Sequence, residues 1–497
     1  FILLLFAGIL AAGCISQNSD YTLRIIPPEN LQFPLKGTWK ILTPLKEEIV
    51  SKQSLTQKWL GKTLHLSDKY AILDKYFLSN PRYQVKKVEA EAYLFYHHQA
   101  FPEGFHFRNE EIEVFTLSDD NLFFCELLRE EKDKLLLNLF NNCYLIRRTS
   151  NEVDEKVFSN LKTTAGNTAV FDNNGTAETT SDHTGVLLGL RAPNRHSSME
   201  DCYRTLWLEL KGQKLAPPLE INTLIFPRRS GFYQLQVVKN VEGKKREDFF
   251  IVENVLKNEK ENTRELPLDP YSWEKKEGYV TRRINYVGND YLSIEETVKQ
   301  TLAGVDSINE EKKLQIITID GLPGMKAVKI SDLVGPDALT AMEDGEQKLY
   351  RQAGLVKTGP LDETNFGLVR KMGYWIFNGR VNYHQEEAHK KESLEKMDYH
   401  LTVIPPEHLV CHNKLDLPWT QVKNHVPSAV DVFTSPAKNL ALVVTNNEIL
   451  VYQMNQGNLE DTPLEKIPLK KDEEIIMAEW ALGHYVENWT LTFQGFV

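Results

Sequence analysis

Residues 433–467 read FTSPAKNLALVVTNNEILVYQMNQGNLEDTPLEKI and carry the clearest fold signal in the chain. Within them, 441–452 (ALVVTNNEILVY) places two apolar runs around a central Asn-Asn pair. Two residues between apolar runs are the length of a tight hairpin turn. A turn at this pair puts Val444 opposite Ile449. The stretch therefore predicts an antiparallel β-hairpin.

The same stretch starts with Ser-Pro and ends its second apolar run in Val-Tyr, and in this order it resembles a blade of a β-propeller. From 185 onward a glycine also precedes an aromatic that is expected to start a strand. This pattern occurs at Gly231, Gly278, Gly288, Gly373 and Gly483. Roughly 310 residues at ~40–50 per blade would form six or seven blades. We expect an irregular β-propeller-like domain over 185–497, with two stacked β-sandwich domains as the alternative.

The region 35–150 predicts a small antiparallel β-barrel-like domain. Short apolar runs at 112–117, 121–128 and 134–140 are separated by acidic turn segments. Between 88 and 94 small or apolar residues alternate with acidic and aromatic ones, which is typical of a strand with one buried face. Strands at this spacing without an intervening helical pattern favour a barrel or a sandwich.

Three residues of this region form a recognisable set. Gly37 and Trp39 lie on the first expected strand, and Arg147, with a second arginine after it, lies on the last. A Gly-x-Trp on the first strand with an arginine on the last resembles the lipocalin and calycin barrels. The resemblance implies that the arginine packs on the Trp39 ring at the closed end, and that the lumen could hold a small apolar ligand. The alternative is a tryptophan in an ordinary β core.

The chain of 497 residues is too long for a single core, because cores stop growing near ~250–300 residues. Residues 151–184 are rich in Asn, Thr, Asp and Gly and poor in large apolar side chains. That composition is typical of a linker, so we place the domain boundary there. The charged segment 385–397 (QEEAHKKESLEKM) is expected to be a short exposed helix or a loop.

The first residues suggest where the protein works. Phe1–Leu10 is an uncharged apolar run, and the small residues Ala-Ala-Gly lead from it to Cys14. Ten apolar residues are the length of a signal-peptide core and are too few to span a bilayer. The small residues before the cysteine resemble the lipobox of bacterial lipoproteins, which implies a lipidated Cys14, a signal segment at 1–14 and a tether at 15–34. Plain secretory cleavage and a structural apolar N-terminus are the alternatives.

The composition and the absence of known motifs argue against several classes of function. The formal net charge is −11, which disfavours nucleic acid as a partner. The sequence contains no G-x-S-x-G, no phosphate-binding glycine loop and no H-E-x-x-H, so we expect no catalytic residues, no metal and no cofactor. The other four cysteines form no C-x-x-C pair and are expected to be buried free thiols.

We therefore expect a mainly β protein, with a barrel-like domain followed by a propeller-like domain, anchored by lipid to the outer face of a bacterial cell membrane. Its expected role is non-catalytic binding or scaffolding of an envelope protein, peptide or glycan. Trp375 and Trp419 are candidate aromatics for the binding face, although tryptophans can also fill the wedges between blades. The alternatives are an envelope hydrolase acting on glycan or peptide, and a small-molecule carrier that uses the barrel.

Overall fold

The structure is a computed structural model. It describes residues 34–45, 59–74, 76–98, 107–118, 123–139, 142–153, 183–194, 201–229, 231–243, 245–255, 277–301, 308–354, 357, 359–385, 393–455 and 457–496. Cys14, the signal segment and nearly all of the expected tether lie outside the described residues. So does most of the expected linker, from 154 to 182.

Nine strands form one antiparallel sheet in the first part of the chain. They are β1 (Gly37–Pro44), β2 (Thr63–Leu66), β3 (Tyr70–Leu73), β4 (Tyr76–Ser79), β5 (Arg82–Glu89), β6 (Glu111–Ser118), β7 (Phe123–Glu131), β8 (Lys134–Leu139) and β9 (Asn142–Ser150). Their order is β4-β3-β2-β1-β9-β8-β7-β6-β5, which makes a half-barrel with β4 and β5 at its ends. The expectation of a small antiparallel β-barrel-like domain is confirmed.

Both faces of this sheet are buried. One face packs Trp39, Phe115 and Tyr144 into a core that fills its concave side. The other face is covered by the helix α1 (Ala90–His98). The strand expected over 88–94 is therefore wrong beyond Glu89, where β5 ends. Alanine and glutamate at the start of α1 favour helix, and the buried contacts of its aromatic residues with the sheet decide between the two patterns.

Trp39 is fully buried and lies beneath an arginine, but not beneath Arg147. In the pairing of β1 with β9, Trp39 stands opposite Arg148 and Lys40 opposite Arg147. The guanidinium of Arg148 accordingly lies 4.4 Å from the centre of the Trp39 ring, while Arg147 is exposed. At Gly37 φ is +135°, and a Cβ would lie 2.4 Å from the carbonyl oxygen of Ser150. Only glycine fits that position.

The chain from His183 to Phe496 forms four further sheets. Sheet B contains β10 (His183–Pro193), β11 (Asp201–Lys211), β12 (Lys214–Leu215), β13 (Leu219–Ile221) and β28 (Glu474–Leu482). Sheet C contains β14 (Leu224–Arg228), β15 (Gly231–Glu242), β16 (Lys245–Asn254), β17 (Glu277–Val287), β18 (Tyr291–Thr301) and β19 (Ile308–Thr318). Sheet D contains β20 (Phe366–Lys371), β21 (Tyr374–Gln385) and β22 (Ser393–His400). Sheet E contains β23 (Asp431–Thr434), β24 (Leu440–Val444), β25 (Glu448–Asn455), β26 (Asn458–Leu459) and β27 (Glu465–Pro468).

These sheets pack in a closed ring. Each neighbouring pair shares one hydrophobic core, and the pairs are B with C, C with D, D with E, and E with B. Adjacent residues of a strand enter different cores, as Leu187 and Leu188 of β10 do, because side chains alternate across a strand. β28 pairs with β10 and joins the end of this part of the chain to its beginning. The result is a four-bladed β-propeller-like arrangement.

The expected count of six or seven blades is wrong. Sheet C alone uses six strands, and several strands of the ring reach eleven or twelve residues. Between sheets C and D the chain also forms a 3₁₀ turn (Ile319–Gly324) and the helices α2 (Ile330–Leu333) and α3 (Pro336–Ala353). Fewer, larger blades therefore use the same length of chain.

Two further helices follow, α4 (Trp419–His425) and α5 (His484–Gln494). The strand expected after Gly483 is therefore a helix.

The predicted hairpin is confirmed, since Val444 pairs with Ile449 between β24 and β25. In the charged segment, Ser393–Met397 belongs to β22 rather than to a helix or loop, and 386–392 lies outside the described residues.

The half-barrel meets the propeller at a buried group of polar side chains, which we call the clasp. Glu126 of β7 is completely buried and accepts hydrogen bonds from the hydroxyls of Tyr93 (2.8 Å), Thr116 (3.2 Å) and Thr420 of α4 (2.7 Å). The ammonium of Lys86 lies 3.8 Å from the same carboxylate oxygen. Burial lowers the pKa of Lys86, and the nearby Glu126 opposes that shift. Because Thr420 comes from the propeller, the clasp joins the two parts.

Helix α1 reinforces this junction from its other side. Phe95 is fully buried in the core shared by sheets D and E. The ring of Tyr96 meets His400 of β22 edge-on at 5.5 Å, and the ammonium of Lys371 lies 4.2 Å from the centre of the same ring. One helix thus packs against both the half-barrel and the propeller.

Candidate functional site

Four strands of the propeller surround its axis. β28 contacts β17, and β17 contacts β20. On the next side, Arg370 of β20 forms a two-bonded ion pair with Asp431 of β23, at 2.8 and 3.1 Å. Ile475 of β28 and Phe433 of β23 share the core of sheets E and B and complete the circuit. The candidate site lies where these inner strands end.

One of the described loops contacts all four blades. Residues 401–418, here called the strap, connect β22 to α4. The carbonyl of Leu409 accepts a hydrogen bond of 2.7 Å from the hydroxyl of Tyr286 in sheet C. The side chain of Asn413 accepts from the backbone N–H of Trp375 in sheet D at 2.7 Å and donates to its carbonyl at 2.9 Å.

The strap also reaches the remaining two sheets. The Nε2 atom of His412 lies 3.0 Å from the carbonyl oxygen of Thr434 in sheet E. The His412 ring packs against Trp480 of sheet B, with the ring centres 6.3 Å apart. Burial lowers the pKa of His412, so that this ring is neutral at pH 7. The strap is therefore fixed to all four blades.

The sequence of the strap explains why it is ordered without being a strand. Two consecutive prolines, Pro405 and Pro406, remove backbone donors, and the carbonyl of Pro406 closes a turn with the N–H of Leu409 at 2.9 Å. Leu409, Leu415 and Leu417 are buried and serve as apolar anchors. The strap contains no glycine, turns at a proline and is anchored by buried leucines. These three features restrict its backbone.

Near the strap lies a buried acid, Glu479 of β28, which acts electrostatically on Cys411 of the strap. It stands opposite Leu187 in the sheet and keeps only 9% of its surface exposed. Among the residues that the structure describes, its carboxyl group has no hydrogen-bond or ion-pair partner. Burial raises the pKa of Glu479 from 4.5 to about 8. This carboxyl group is therefore mostly protonated at pH 7.

Glu479 lies within electrostatic reach of two other groups at the strapped end. The pKa of the Tyr286 hydroxyl is raised well above its ordinary value by burial first and by Glu479 second. The pKa of the Cys411 thiol is raised to about 11 by burial, then by Glu479, Asp290 and Glu407. Glu479, Tyr286 and Cys411 therefore lie close enough to influence one another's ionisation.

The exposed Cys411 is held next to an amide. The Nδ2 of Asn289 donates to the Cys411 sulfur at 3.4 Å. The Oδ1 of Asn289 is buried and has no hydrogen-bond partner within the described ranges. One acceptor beside this thiol thus lacks a donor.

The Cys411 thiol has the protonation state of a weak nucleophile. A thiol with a raised pKa carries little thiolate at pH 7, and the thiolate is the nucleophile. His412, the next residue, donates through Nε2 to the carbonyl of Thr434. What the site offers is a set of acceptor groups and an acid that can ionise near neutrality.

The two tryptophans expected on a binding face do not form one. Trp375 is 3% exposed and Trp419 is 9% exposed. Trp375 packs between Tyr286 and the guanidinium of Arg370, and Trp419 belongs to the core of sheets D and E. Both fill space between blades, because their large apolar rings gain most from full burial.

The four described cysteines were expected to be buried free thiols, and this is correct for two of them. All four described cysteines are free, and Cys125 and Cys143 are buried in the half-barrel. Cys202 and Cys411 are exposed instead, the first at the start of β11 and the second on the strap.

Sequence reasoning missed Glu479. The signal was present in β28, EIIMAEWAL, in which one acidic residue interrupts an otherwise apolar run. An acid inside a strand with two buried faces is costly and rare, so that interruption marks a candidate site.

Within the ranges of the chain that the structure covers, no group of three or more His, Cys, Asp or Glu side chains is placed to hold a metal ion. No helix in those ranges combines the length and apolar character needed to cross a membrane.

Comparison with protein-family models gave no match, and no curated protein matched the chain.

Proposed function

We propose that this protein is a lipid-anchored, extracytoplasmic binding module of a bacterial cell envelope, and that the strapped end of its propeller is the binding surface. The half-barrel and the clasp hold the propeller at a fixed orientation relative to the tether that precedes β1. The role is that of a rigid receptor or scaffold for an envelope protein, peptide or glycan.

The observation that carries the proposal is Glu479. A buried carboxylate without a partner destabilises the folded state by several kcal/mol, so it is not retained for folding. Perturbed, desolvated acids in clefts are more frequent at functional sites than elsewhere. A ligand group that pairs with Glu479 would recover the lost interaction. Binding is therefore the simplest reason for its presence.

The anchor is supported by the first fourteen residues. Their short apolar run ends in Ala-Ala-Gly-Cys, and lipid on Cys14 would hold the folded part at the membrane surface. Growth of the source bacterium with a labelled fatty acid tests this directly. We expect label on the wild-type protein and on Cys202→Ala, and no label on Cys14→Ala. Label that persists on Cys14→Ala contradicts the anchor.

The binding surface is tested by its own thiol. A photo-activated cross-linker on Cys411, in a Cys202→Ala background, should give a discrete adduct in native envelopes. The matched control carries the cross-linker on Cys202 in a Cys411→Ala background. We expect Glu479→Gln to abolish the Cys411 adduct. An adduct of equal yield from both positions contradicts a specific surface at the strap.

A further inference from the structure

We propose that the strapped end binds a primary alkylammonium group, such as the head of a lysine side chain, with Glu479 as its counter-ion. This inference rests on the proposed function and names the chemistry that the surface would recognise.

The first argument is the lack of a cation beside Glu479. Glu479 of β28, Asp290 of the β17–β18 turn and Glu407 of the strap all act on the Cys411 thiol. One of them is already partly neutralised, because the guanidinium of Arg228 lies 3.0 Å from Asp290. Glu479 has no cation near it among the residues described. The position therefore attracts a cation from outside.

The second argument is independent of charge. Glu479 is more than nine-tenths buried, and the Oδ1 of Asn289, on the same side of the strap as Cys411, is buried without a hydrogen-bond partner in the described part of the chain. Two acceptor groups at one end of the axis thus lack donors. An ammonium group has three donors and no acceptor, which matches this deficit.

Shape selects the alkylammonium over a guanidinium. Glu479 shares its strand face with the apolar Met477 and Ala481, both of which belong to the core of sheets B and C. A compact charge on a slim alkyl stem can reach a buried acid while its methylenes contact apolar walls. The wide planar fork of a guanidinium needs two accessible oxygens in one plane.

Ionisation of Glu479 links binding to pH. Burial is what raises the pKa of Glu479; Glu479 in turn acts on Tyr286 and on Cys411, and Asp290 and Glu407 act on the same Cys411 thiol. With a pKa of about 8, roughly one-tenth of Glu479 is ionised at pH 7. Affinity for an ammonium should rise about tenfold between pH 7 and pH 9, where the ligand is still charged.

Titration calorimetry on the full chain tests the proposal with three probes. They are Nα-acetyl-lysine methylamide, n-pentylamine and the neutral Nα-acetyl-norleucine methylamide. We expect both amines to bind at about pH 9 at least ~10-fold more tightly than the neutral probe, since only they pair with the carboxylate. Equal affinity for the neutral and the charged probes overturns the proposal, and this comparison needs no variant.

The isosteric variant Glu479→Gln should reduce amine affinity about 10-fold and remove its rise with pH. Glu343→Gln, an exposed acid on α3, is the matched control and should leave both unchanged. Retained amine binding in Glu479→Gln also overturns the proposal. If the blocked lysine binds much more tightly than pentylamine, the source is a peptide or protein; comparable affinities indicate a free amine. The fatty-acid labelling of Cys14 is unaffected by these outcomes, so the two proposals fail separately.

Discussion

Two buried glutamates lie in different parts of this molecule and have opposite surroundings. Glu126 in the clasp is completely buried, accepts three hydroxyl hydrogen bonds and lies 3.8 Å from the Lys86 ammonium. Glu479 beneath the strap is nearly as buried and has no partner of either kind among the described residues. The two acids are similarly buried, but one oxygen of the Glu126 carboxylate has partners and the Glu479 carboxyl group has none within the described ranges.

The difference separates a structural acid from a functional one. When a buried charge is paired and hydrogen-bonded, removal of one partner is strongly destabilising, because the remaining groups are left unsatisfied. When a buried acid has no partner, its removal relieves a penalty. The two sites should therefore respond to substitution with opposite signs, and the first two of the following four measurements compare those signs directly.

The largest effect is expected at the clasp. Glu126→Ala leaves a buried lysine and three hydroxyls without their acceptor, so we expect a loss of ~4 kcal/mol in the free energy of unfolding. Urea denaturation at pH 7 measures it. Glu113→Ala on the neighbouring strand is the control, because its ion pair with Arg129 is partly exposed and should contribute less than ~1 kcal/mol. A Glu126→Ala variant as stable as the control would remove the distinction between the two glutamates.

The opposite sign is expected at Glu479. Its raised pKa means that the folded state holds a proton between pH 4.5 and about 8 that the unfolded state has released. Stability is therefore fully present below pH 4.5 and falls as the pH rises through 8. Glu479→Gln removes the titration and should raise the free energy of unfolding by ~3 kcal/mol at about pH 8, after allowance for residual solvent contact. Unfolding of both proteins at the two ends of this pH range gives the comparison; destabilisation at pH 8 would contradict it.

His400, where the half-barrel meets the propeller, gives a third prediction, which concerns stability at acidic pH. Burial lowers the pKa of His400 to about 4, with the positive Lys371 as the second cause. Below pH 6.5 the unfolded state takes up a proton that the folded state refuses, so stability falls as the pH drops from 6.5 to 4. We expect His400→Gln to remove ~2 kcal/mol of this loss. Heat denaturation of both proteins across that range tests it, and parallel pH curves would exclude His400 as the cause.

The smallest effect isolates the contribution of the propeller to the clasp. Thr420→Val keeps the shape of α4 but removes one of three donors to Glu126, which should cost ~1 kcal/mol. Because Thr420 is the donor that comes from the other domain, its loss should also separate the unfolding of half-barrel and propeller. Calorimetry that detects a single unchanged transition would show that α1 alone couples the two.

Much of the fold was predictable from local pattern. The Asn-Asn turn fixed the register of β24 and β25, and the apolar runs between acidic turns located β6, β7 and β8. The pattern failed at 90–98, where alternation over a few residues fits both a strand and one face of a helix. Contact of Tyr93 and Leu94 with the sheet decided for the helix.

The candidate site was less predictable. The acid in β28 was visible as an interruption of an apolar run, but its lack of a partner depends on which side chains other strands bring near it. The strap read as an ordinary proline-containing loop. Its contacts with Tyr286, Trp375 and Thr434 join residues more than twenty positions away in the chain, and no local pattern records such distances.

The sequence by itself determined that this is a β protein in two parts, because side-chain alternation and turn residues act over a few positions. Only the tertiary structure decided that four sheets close into a ring, that Arg148 rather than Arg147 covers Trp39, and that one oxygen of Glu126 receives three hydroxyls while Glu479 has no partner among the described residues. Those outcomes depend on strand register and on packing between distant segments. Burial and partnership are properties of the assembled chain, since each is set by atoms that the local sequence does not contain.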